Sequence, residues 1–238
     1  MKKYLPFFLL ILLQKLLIIL RVITYKSSRF YCIFCNKNCK GYHVGLFPNF
    51  ELACSSCHSL GRHRHLSLFL KSLKLDCLKI LHFSAENQIK EIINKKKPSK
   101  YLCVNKYPNE NEIFCDIENI HFDENYFDLA ICSHVLEHVD YEIAISELSK
   151  ILKKNGLALL MFPIIYQWEE TYSNSDIVTK KLRELHFGQF DHLHLFGRDI
   201  EKKLIENNFS INKIISYGED SIKNGIKCGE ILYVAKKT

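Results

Sequence analysis

Four cysteines near the amino terminus have the spacing of a metal site. Two C-x₂-C pairs are separated by 18 residues, and they comprise Cys32, Cys35, Cys54 and Cys57. Each pair presents two thiolates from one turn, and two such turns complete the tetrahedral sulfur shell that suits Zn²⁺. Because four thiolates leave no open coordination position, the spacing predicts a structural, zinc-ribbon-like unit and not a catalytic metal centre.

The other cysteines suggest a reducing compartment. Cys39 and His58 are alternative zinc ligands, which the paired spacing disfavours. A disulfide framework would need an oxidising environment, and small buried cysteines in apolar runs need no partner. The sequence therefore favours a cytoplasmic protein with reduced thiols, and the cysteines in apolar runs are Cys77, Cys103, Cys115, Cys132 and Cys228.

Charge is distributed unevenly along the 238 residues. Residues 1–75 hold twelve Lys and Arg against the single acid Glu51, whereas residues 76–238 hold 21 against 25 acids. Only six of the basic residues are Arg, the residue best suited to phosphates and base edges, so nucleic acid is disfavoured as a partner. Arg62 and Arg64 directly follow the second cysteine pair, where they either offset its negative charge, which we favour, or bind an anion.

The first 25 residues are the most apolar part of the chain. Lys15 interrupts the apolar run, and on a helix it shares one side with Lys3, Gln14 and Arg21. This pattern favours a helix that lies on an anionic membrane surface or packs on the rest of the protein. A spanning anchor and a signal peptide are the alternatives.

From residue 78 onward, short apolar runs alternate with helical patterns. Asp140 is expected to cap a helix that runs to Leu152 and ends at Asn155-Gly156. This alternation predicts an α/β fold with a doubly wound, mostly parallel sheet, which binds ligands beyond the carboxyl ends of its strands. The expected strands are 78–83, 101–105, 112–116, 126–132, 157–162, 210–216 and 229–236.

Three stretches carry a family resemblance. They read CSSCHSLGRHR at 54–64, FDLAICSHVLEHV at 127–139 and FGQFDHLHLFG at 187–197. With the order of strand ends, they resemble the class I S-adenosylmethionine-dependent methyltransferases, type 11-like, and a subfamily with an N-terminal pair of C-x₂-C motifs. The resemblance covers roughly residues 30–238 and implies a seven-stranded Rossmann-like sheet.

The resemblance also implies positions for the cofactor, S-adenosyl-L-methionine. The turn Ser84-Ala85-Glu86 would face its methionine part, Asn105 its ribose and Asp116 its adenine amino group, while Ser133 would line the cleft towards the acceptor. Two features depart from the family pattern: the chain has no glycine between Gly61 and Gly156, and Asn105 replaces an acid. These departures favour the alternative of a degenerate fold serving as a binding or assembly module at an anionic membrane or RNA.

Methyl transfer from a sulfonium needs alignment more than elaborate catalysis. Where the acceptor requires a base, the catalytic candidates are His134, Asp191 and His192, and His138 is a further candidate. A structural hydrogen-bonded pair and a metal site are alternative interpretations of the segment 191–194. An insertion at about 163–195 is expected to cover the cleft.

These observations predict three regions: an apolar and basic helix over 1–28, a zinc-ribbon-like head with a linking helix over 29–75, and a methyltransferase domain over 76–238. The expected function is S-adenosylmethionine-dependent methyl transfer to an unidentified acceptor. The expected location is cytoplasmic, with the N-terminal helix in contact with an anionic membrane surface.

Overall fold

This computed structural model describes residues 13, 15–17, 19–20, 29–44 and 51–238. The chain forms two compact units: Met1–Phe69 with Ile215–Glu230, which we call the cysteine-rich unit, and Leu70–Ile214 with Ile231–Thr238, which we call the sheet unit. The helix predicted over 1–28 lies largely outside the described residues and stays a prediction. Within the described part of the chain, no helix has the length and apolarity needed to cross a bilayer.

The cysteine-rich unit is built on a three-stranded antiparallel sheet. Its strands are β1 (Arg29–Cys32), β2 (Lys37–Val44) and β3 (Glu51–Cys54), in that order. Helix α1 (Gly61–Ser72) begins in this unit. The cysteine pairs follow from this arrangement, because Cys32 and Cys54 each end a strand and their partners lie in the turns beyond.

Arg64 connects distant parts of the cysteine-rich unit. Its guanidinium is fully buried and donates hydrogen bonds to the carbonyl oxygens of Leu52, Ser59, Asn224 and Gly225. It also lies 4.3 Å from the centre of the Phe30 ring. Gly225 adopts φ +61°, and a Cβ there would approach the Phe30 ring to 2.6 Å, so the turn beside Arg64 requires glycine.

Segment 215–230 therefore belongs with the cysteine-rich unit, although the sequence-based boundary at residue 75 leaves it in the methyltransferase domain. The physical reason is that two of the four carbonyl partners of Arg64 come from Asn224 and Gly225, about 160 residues away in the chain. Arg64 has a structural role, as we favoured from sequence. Burial lowers its pKa to about 10, which leaves it charged at neutral pH, and the nearby cysteine thiolates favour that charge.

The sheet unit contains a seven-stranded sheet in the order β11-β12-β8-β7-β4-β5-β6. Pairs β4–β5, β5–β6, β4–β7 and β7–β8 are parallel, and β12 is antiparallel to β8. This arrangement confirms the predicted doubly wound, mostly parallel seven-stranded sheet. The strands are β4 (Lys79–Phe83), β5 (Lys100–Asn105), β6 (Ile113–Phe114), β7 (Phe127–Ser133), β8 (Leu152–Met161), β11 (Phe209–Ile215) and β12 (Ile231–Lys237).

Helices pack on the sheet through faces whose apolar residues recur at helical spacing. The remaining elements are α2 (Asn87–Lys95), a 3₁₀ turn η1 (Leu136–His138), α3 (Tyr141–Ile151), β9 (Tyr172–Ser173), α4 (Lys180–Phe187), β10 (His194–Leu195), α5 (Asp199–Glu206) and, in the cysteine-rich unit, α6 (Gly218–Asn224). Ile89, Ile92 and Ile93 are the buried positions of α2, and Asp140 caps α3 by accepting hydrogen bonds from the main-chain N–H groups of Glu142 and Ile143.

The prediction that Asn155-Gly156 ends α3 is wrong. The helix ends at Ile151, and β8 begins at once. Phe127 pairs with Leu152 and Leu129 with Leu157, so the extra residues of β8 form a bulge in which Asn155 adopts φ +66°. A Cβ at Gly156 would lie 2.9 Å from the Lys153 carbonyl oxygen, so this glycine serves the bulge.

We expect Arg64→Lys to lower the free energy of unfolding by about 2–4 kcal/mol, because lysine cannot match the planar fork of donors and a buried carbonyl left without a donor costs about 1–3 kcal/mol. Urea denaturation followed by circular dichroism measures this. Arg62→Lys is the matched control: its side chain is partly exposed beside Glu51, so a change within about 1 kcal/mol is expected. Equal losses in the two variants would contradict the role assigned to Arg64.

Candidate functional site

The four predicted zinc ligands come together in the cysteine-rich unit. The sulfur atoms of Cys32, Cys35, Cys54 and Cys57 all lie within 4.8 Å of one another. The Sγ atoms of Cys32 and Cys57 are 3.6 Å apart, and those of Cys35 and Cys54 are 3.9 Å apart. A tetrahedron with zinc–sulfur bonds of about 2.3 Å has edges of roughly 3.8 Å, so the cluster has the size that Zn²⁺ needs.

Both alternative zinc ligands point to other partners. Cys39 Sγ lies 3.8 Å from the hydroxyl of Ser56, and His58 Nδ1 lies 2.8 Å from that of Tyr42. Within the cluster, the hydrogen bond with Cys54 lowers the pKa of Cys32 to about 4, against the effect of burial. A thiolate, the form that binds metal, is therefore present at neutral pH.

The turn after β4 has a left-handed residue without using glycine. Ser84 adopts φ +48°, and its N–H donates to the carbonyl oxygen of Val104 at 2.8 Å. Ala85 follows and is buried, and Glu86 lies 3.3 Å from Nε2 of His82. The turn that resemblance assigns to the methionine part of a cofactor thus keeps a conformation that glycine adopts most easily.

At the end of β5, Asn105 is accompanied by a carboxylate. Its amide nitrogen lies 3.5 Å from Oε2 of Glu112, and its Oδ1 accepts from the N–H of Tyr107. Glu112 also pairs with Lys90 at 3.2 Å. Sequence reasoning missed Glu112, which brings negative charge beside the residue that lacks it. Its position just before β6 was the available signal.

Asp116 follows β6 and pairs with a lysine. Its Oδ2 is 2.7 Å from Lys106 Nζ, and its Oδ1 accepts from the N–H of Glu118. Burial raises the pKa of Asp116, but the hydrogen bonds from Lys106 and from the Glu118 N–H, together with the charge of Lys106, hold the pKa below its usual value. The carboxylate is therefore ionised and can accept hydrogen bonds.

The end of β7 carries buried polar atoms without hydrogen-bond partners. They are Oγ of Ser133, Nε2 of His134 and Oε2 of Glu137. His134 adopts φ +54°, its N–H donates to the Met161 carbonyl at 2.7 Å, and its Nδ1 lies 3.0 Å from Oε1 of Glu137. Unpartnered buried polar groups cost stability, which is typical of sites that receive a polar ligand.

Glu137 was not among the sequence-predicted site residues. It is fully buried in η1, three residues after His134, and that spacing was the only signal in the sequence. Burial raises the pKa of Glu137, but the hydrogen bond and charge of His134, a backbone hydrogen bond and the charge of His138 together hold the pKa below its usual value.

The predicted residues Asp191 and His192 lie beside η1 and differ in environment. Asp191 is half-buried, and its Oδ2 is 3.5 Å from Nδ1 of His138. His192 is buried, with its ring centre 4.8 Å from that of His138. Burial lowers the pKa of His192, so its imidazole is neutral at neutral pH. The neutral imidazole of His192 can therefore act as a base or as a metal ligand. The carboxylate of Asp191 contacts the ring of His138.

Comparisons with known proteins agree with this architecture. A family model described as a methyltransferase domain matches residues 71–160. The 1,6-didemethyltoxoflavin-N1-methyltransferase of Burkholderia thailandensis aligns with TM-score 0.53 and 13% identity, over 74% of this chain and 77% of that chain. An S-adenosylmethionine-dependent methyltransferase from Mesorhizobium loti aligns with TM-score 0.50 and 14% identity, over 74% and 96%. The sheet unit therefore has the class I methyltransferase fold.

Two further similarities limit what the fold implies. The cyclase SpnF aligns with TM-score 0.50 and 11% identity, over 73% of this chain and 80% of that chain, so this fold also carries another reaction. The uncharacterized protein MJ0638 of Methanocaldococcus jannaschii is 40% identical over 52 residues, which are 22% of this chain. The match spans 23% of the length of that relative.

We expect Ser133→Ala to leave the free energy of unfolding unchanged or to raise it by up to about 1 kcal/mol, because the substitution removes a buried hydroxyl without a partner. Ser221→Ala is the control: Ser221 is also buried, but its hydroxyl donates to the Ile226 carbonyl at 2.7 Å. That variant should lose about 1–2 kcal/mol. Urea denaturation compares the two, and a similar loss in both would contradict the unpartnered state of Ser133.

Proposed function

We propose that this chain is an S-adenosylmethionine-dependent methyltransferase acting on an acceptor yet to be identified. The observation that carries the proposal is the set of unpartnered buried polar atoms at the end of β7, within a sheet of class I methyltransferase order. Ligands of such sheets bind beyond the carboxyl ends of the strands, where these atoms lie.

The cofactor site is assigned residue by residue. Ser84, Ala85 and Glu86 would hold the methionine part, and the left-handed turn at Ser84 supports this despite the missing glycine. Asn105 with Glu112 would bind the ribose hydroxyls, and ionised Asp116 would accept from the adenine amino group. When bound, S-adenosylmethionine supplies an electrophilic methyl group on a sulfonium.

The protein's own contribution is alignment and proton handling. Holding the nucleophile in line with the methyl carbon and sulfur can supply most of the acceleration. Ser133 and His134 would line the cleft. His192, neutral because of its burial, could take a proton from the acceptor at Nε2, since Nδ1 is bonded to the Phe187 carbonyl.

The head is proposed to hold one structural Zn²⁺ on its four cysteines. The sulfur separations support this, and so does the buried positive charge of Arg64, which offsets the excess negative charge of a four-thiolate zinc site. Contact with an anionic membrane through residues 1–28 is a further proposal, which rests on the sequence pattern.

The alternative of a degenerate binding module is not favoured over methyl transfer. The turn after β4 lacks a glycine, but Ser84 adopts the positive φ that a glycine would provide. Asn105 stands where the family has an acid, but the carboxylate of Glu112 lies beside it. Cofactor binding discriminates between the two functions directly.

Isothermal titration calorimetry with S-adenosylmethionine should show one site per chain. Asp116→Asn should weaken binding by about 10- to 100-fold, because a hydrogen bond to a charged group contributes roughly 1.5–3 kcal/mol. Glu118→Gln is the matched control, since Glu118 shares the same partner, Lys106, but has no assigned contact with the cofactor. Absence of binding to folded wild-type protein would refute the proposed function.

Titration of the thiols with a mercurial should release about one equivalent of zinc per chain, detected with a metallochromic indicator. Cys54→Ser should abolish this release and destabilise the cysteine-rich unit, because the metal contributes to the free energy of folding. Cys39→Ser, which changes a buried cysteine outside the cluster, should retain the zinc. Retention in Cys54→Ser or loss in Cys39→Ser would exclude the assigned ligand set.

A further inference from the structure

A second group of metal-ligating side chains lies in the sheet unit. One ligand atom each of Glu137, His138 and His192 falls within 4.8 Å of the other two. The main chain fixes this grouping: the N–H of Leu193 donates to the Glu137 carbonyl at 2.8 Å, joining the segment after α4 to η1.

The hydrogen bonds of the two histidines leave one nitrogen of each available. Nδ1 of His138 lies 3.2 Å from the Asp191 carbonyl oxygen, and Nδ1 of His192 lies 3.2 Å from the Phe187 carbonyl oxygen. A carbonyl only accepts, so Nδ1 carries the proton in both rings and Nε2 carries the lone pair. Metal-binding histidines are commonly oriented in this way.

Glu137 supplies the negative charge. Its side chain is fully buried, Oε1 is bonded to His134, and Oε2 has no partner. A buried carboxylate oxygen without a donor is costly unless something positive meets it. The hydrogen bond from His134 is the outer contact that orients a ligating carboxylate.

We infer that Glu137, His138 and His192 bind a divalent transition-metal ion, separate from the zinc of the cysteine cluster. Two imidazoles and one carboxylate suit Zn²⁺, Fe²⁺, Mn²⁺ or Co²⁺. Three protein ligands leave at least one coordination position open, in contrast with the closed four-sulfur site. The side chain of His138 is 28% exposed, which provides access from solvent.

The place of this metal site after β7 indicates a role for its open coordination position, and that role rests on the proposed function. Glu137 lies in η1, four residues beyond Ser133, which is the last residue of β7. A metal ion there lowers the pKa of a hydroxyl group, so the acceptor class is an oxygen nucleophile. Nε2 of His192 is then a metal ligand and no longer the base assigned to it without metal, so the acceptor's proton passes to solvent. The oxygen bonds to the methyl carbon, and the carbon–sulfur bond breaks to leave a neutral thioether.

The test uses Co²⁺ as the probe on the 238-residue protein whose cysteine site is filled with Zn²⁺. Cobalt bound by nitrogen and oxygen gives weak visible bands without the intense charge transfer of cobalt thiolates. We expect one equivalent with such bands. His138→Gln and His192→Gln should each weaken binding by more than about tenfold. Acetohydroxamate, a small oxygen donor, should shift the bands by occupying the open positions.

His194→Gln is the matched control, because Nε2 of His194 is already bonded to the Val139 carbonyl and Nδ1 to Ser173. Its affinity for Co²⁺ should stay within about twofold of wild type. Absence of the weak bands, or equal weakening in His194→Gln, overturns the metal site, and unshifted bands overturn the open position. If His192→Gln fails to fold, the partly exposed His138→Gln carries the test. The titration contains no cofactor, so its result is independent of the proposed methyl transfer.

Discussion

Parallel strands β4, β5, β7 and β8 all end at one edge of the sheet, and this constraint decides where chemistry can take place. The turns that follow β4 and β7 stay tied to the sheet by main-chain hydrogen bonds to the neighbouring strands. Ser84 and His134 adopt left-handed conformations there, and their N–H groups donate to the carbonyl oxygens of Val104 on β5 and Met161 on β8. Such conformations are costly for residues other than glycine, and the hydrophobic core beneath them supplies the stability that tolerates them.

The sequence was informative wherever the cause of a structure was local. Spacing alone identified the four cysteines, and Asp140 caps α3 through its own neighbours. Interactions between residues far apart in the chain could not be predicted from the sequence. The partners of Arg64 at 224 and 225 depend on tertiary folding, and Gly156 resembled a helix terminator although its cause is close contact within a bulge. Glu137 was missed because a buried acid in a short turn has no periodic pattern around it.

Departures from a family pattern need not remove the property that the pattern provides. The turn after β4 contains no glycine, yet Ser84 supplies the positive φ. Asn105 has no charge, yet the carboxylate of Glu112 is within 3.5 Å of its amide. In both places a property that the family pattern obtains from one residue type is supplied here by a different residue. A degenerate appearance in the sequence is therefore weak evidence for a lost function.

Segment 215–230 is inserted between β11 and β12 in sequence, yet it completes the unit that contains the four cysteines. The cysteine-rich unit is thus discontinuous in sequence, assembled from an N-terminal segment and residues 215–230. A fragment that stops at residue 75 would lack two of the four carbonyl oxygens around a buried cation. The unit consequently cannot be transplanted as an N-terminal module, and during synthesis it can be completed only after residues 215–230 have left the ribosome.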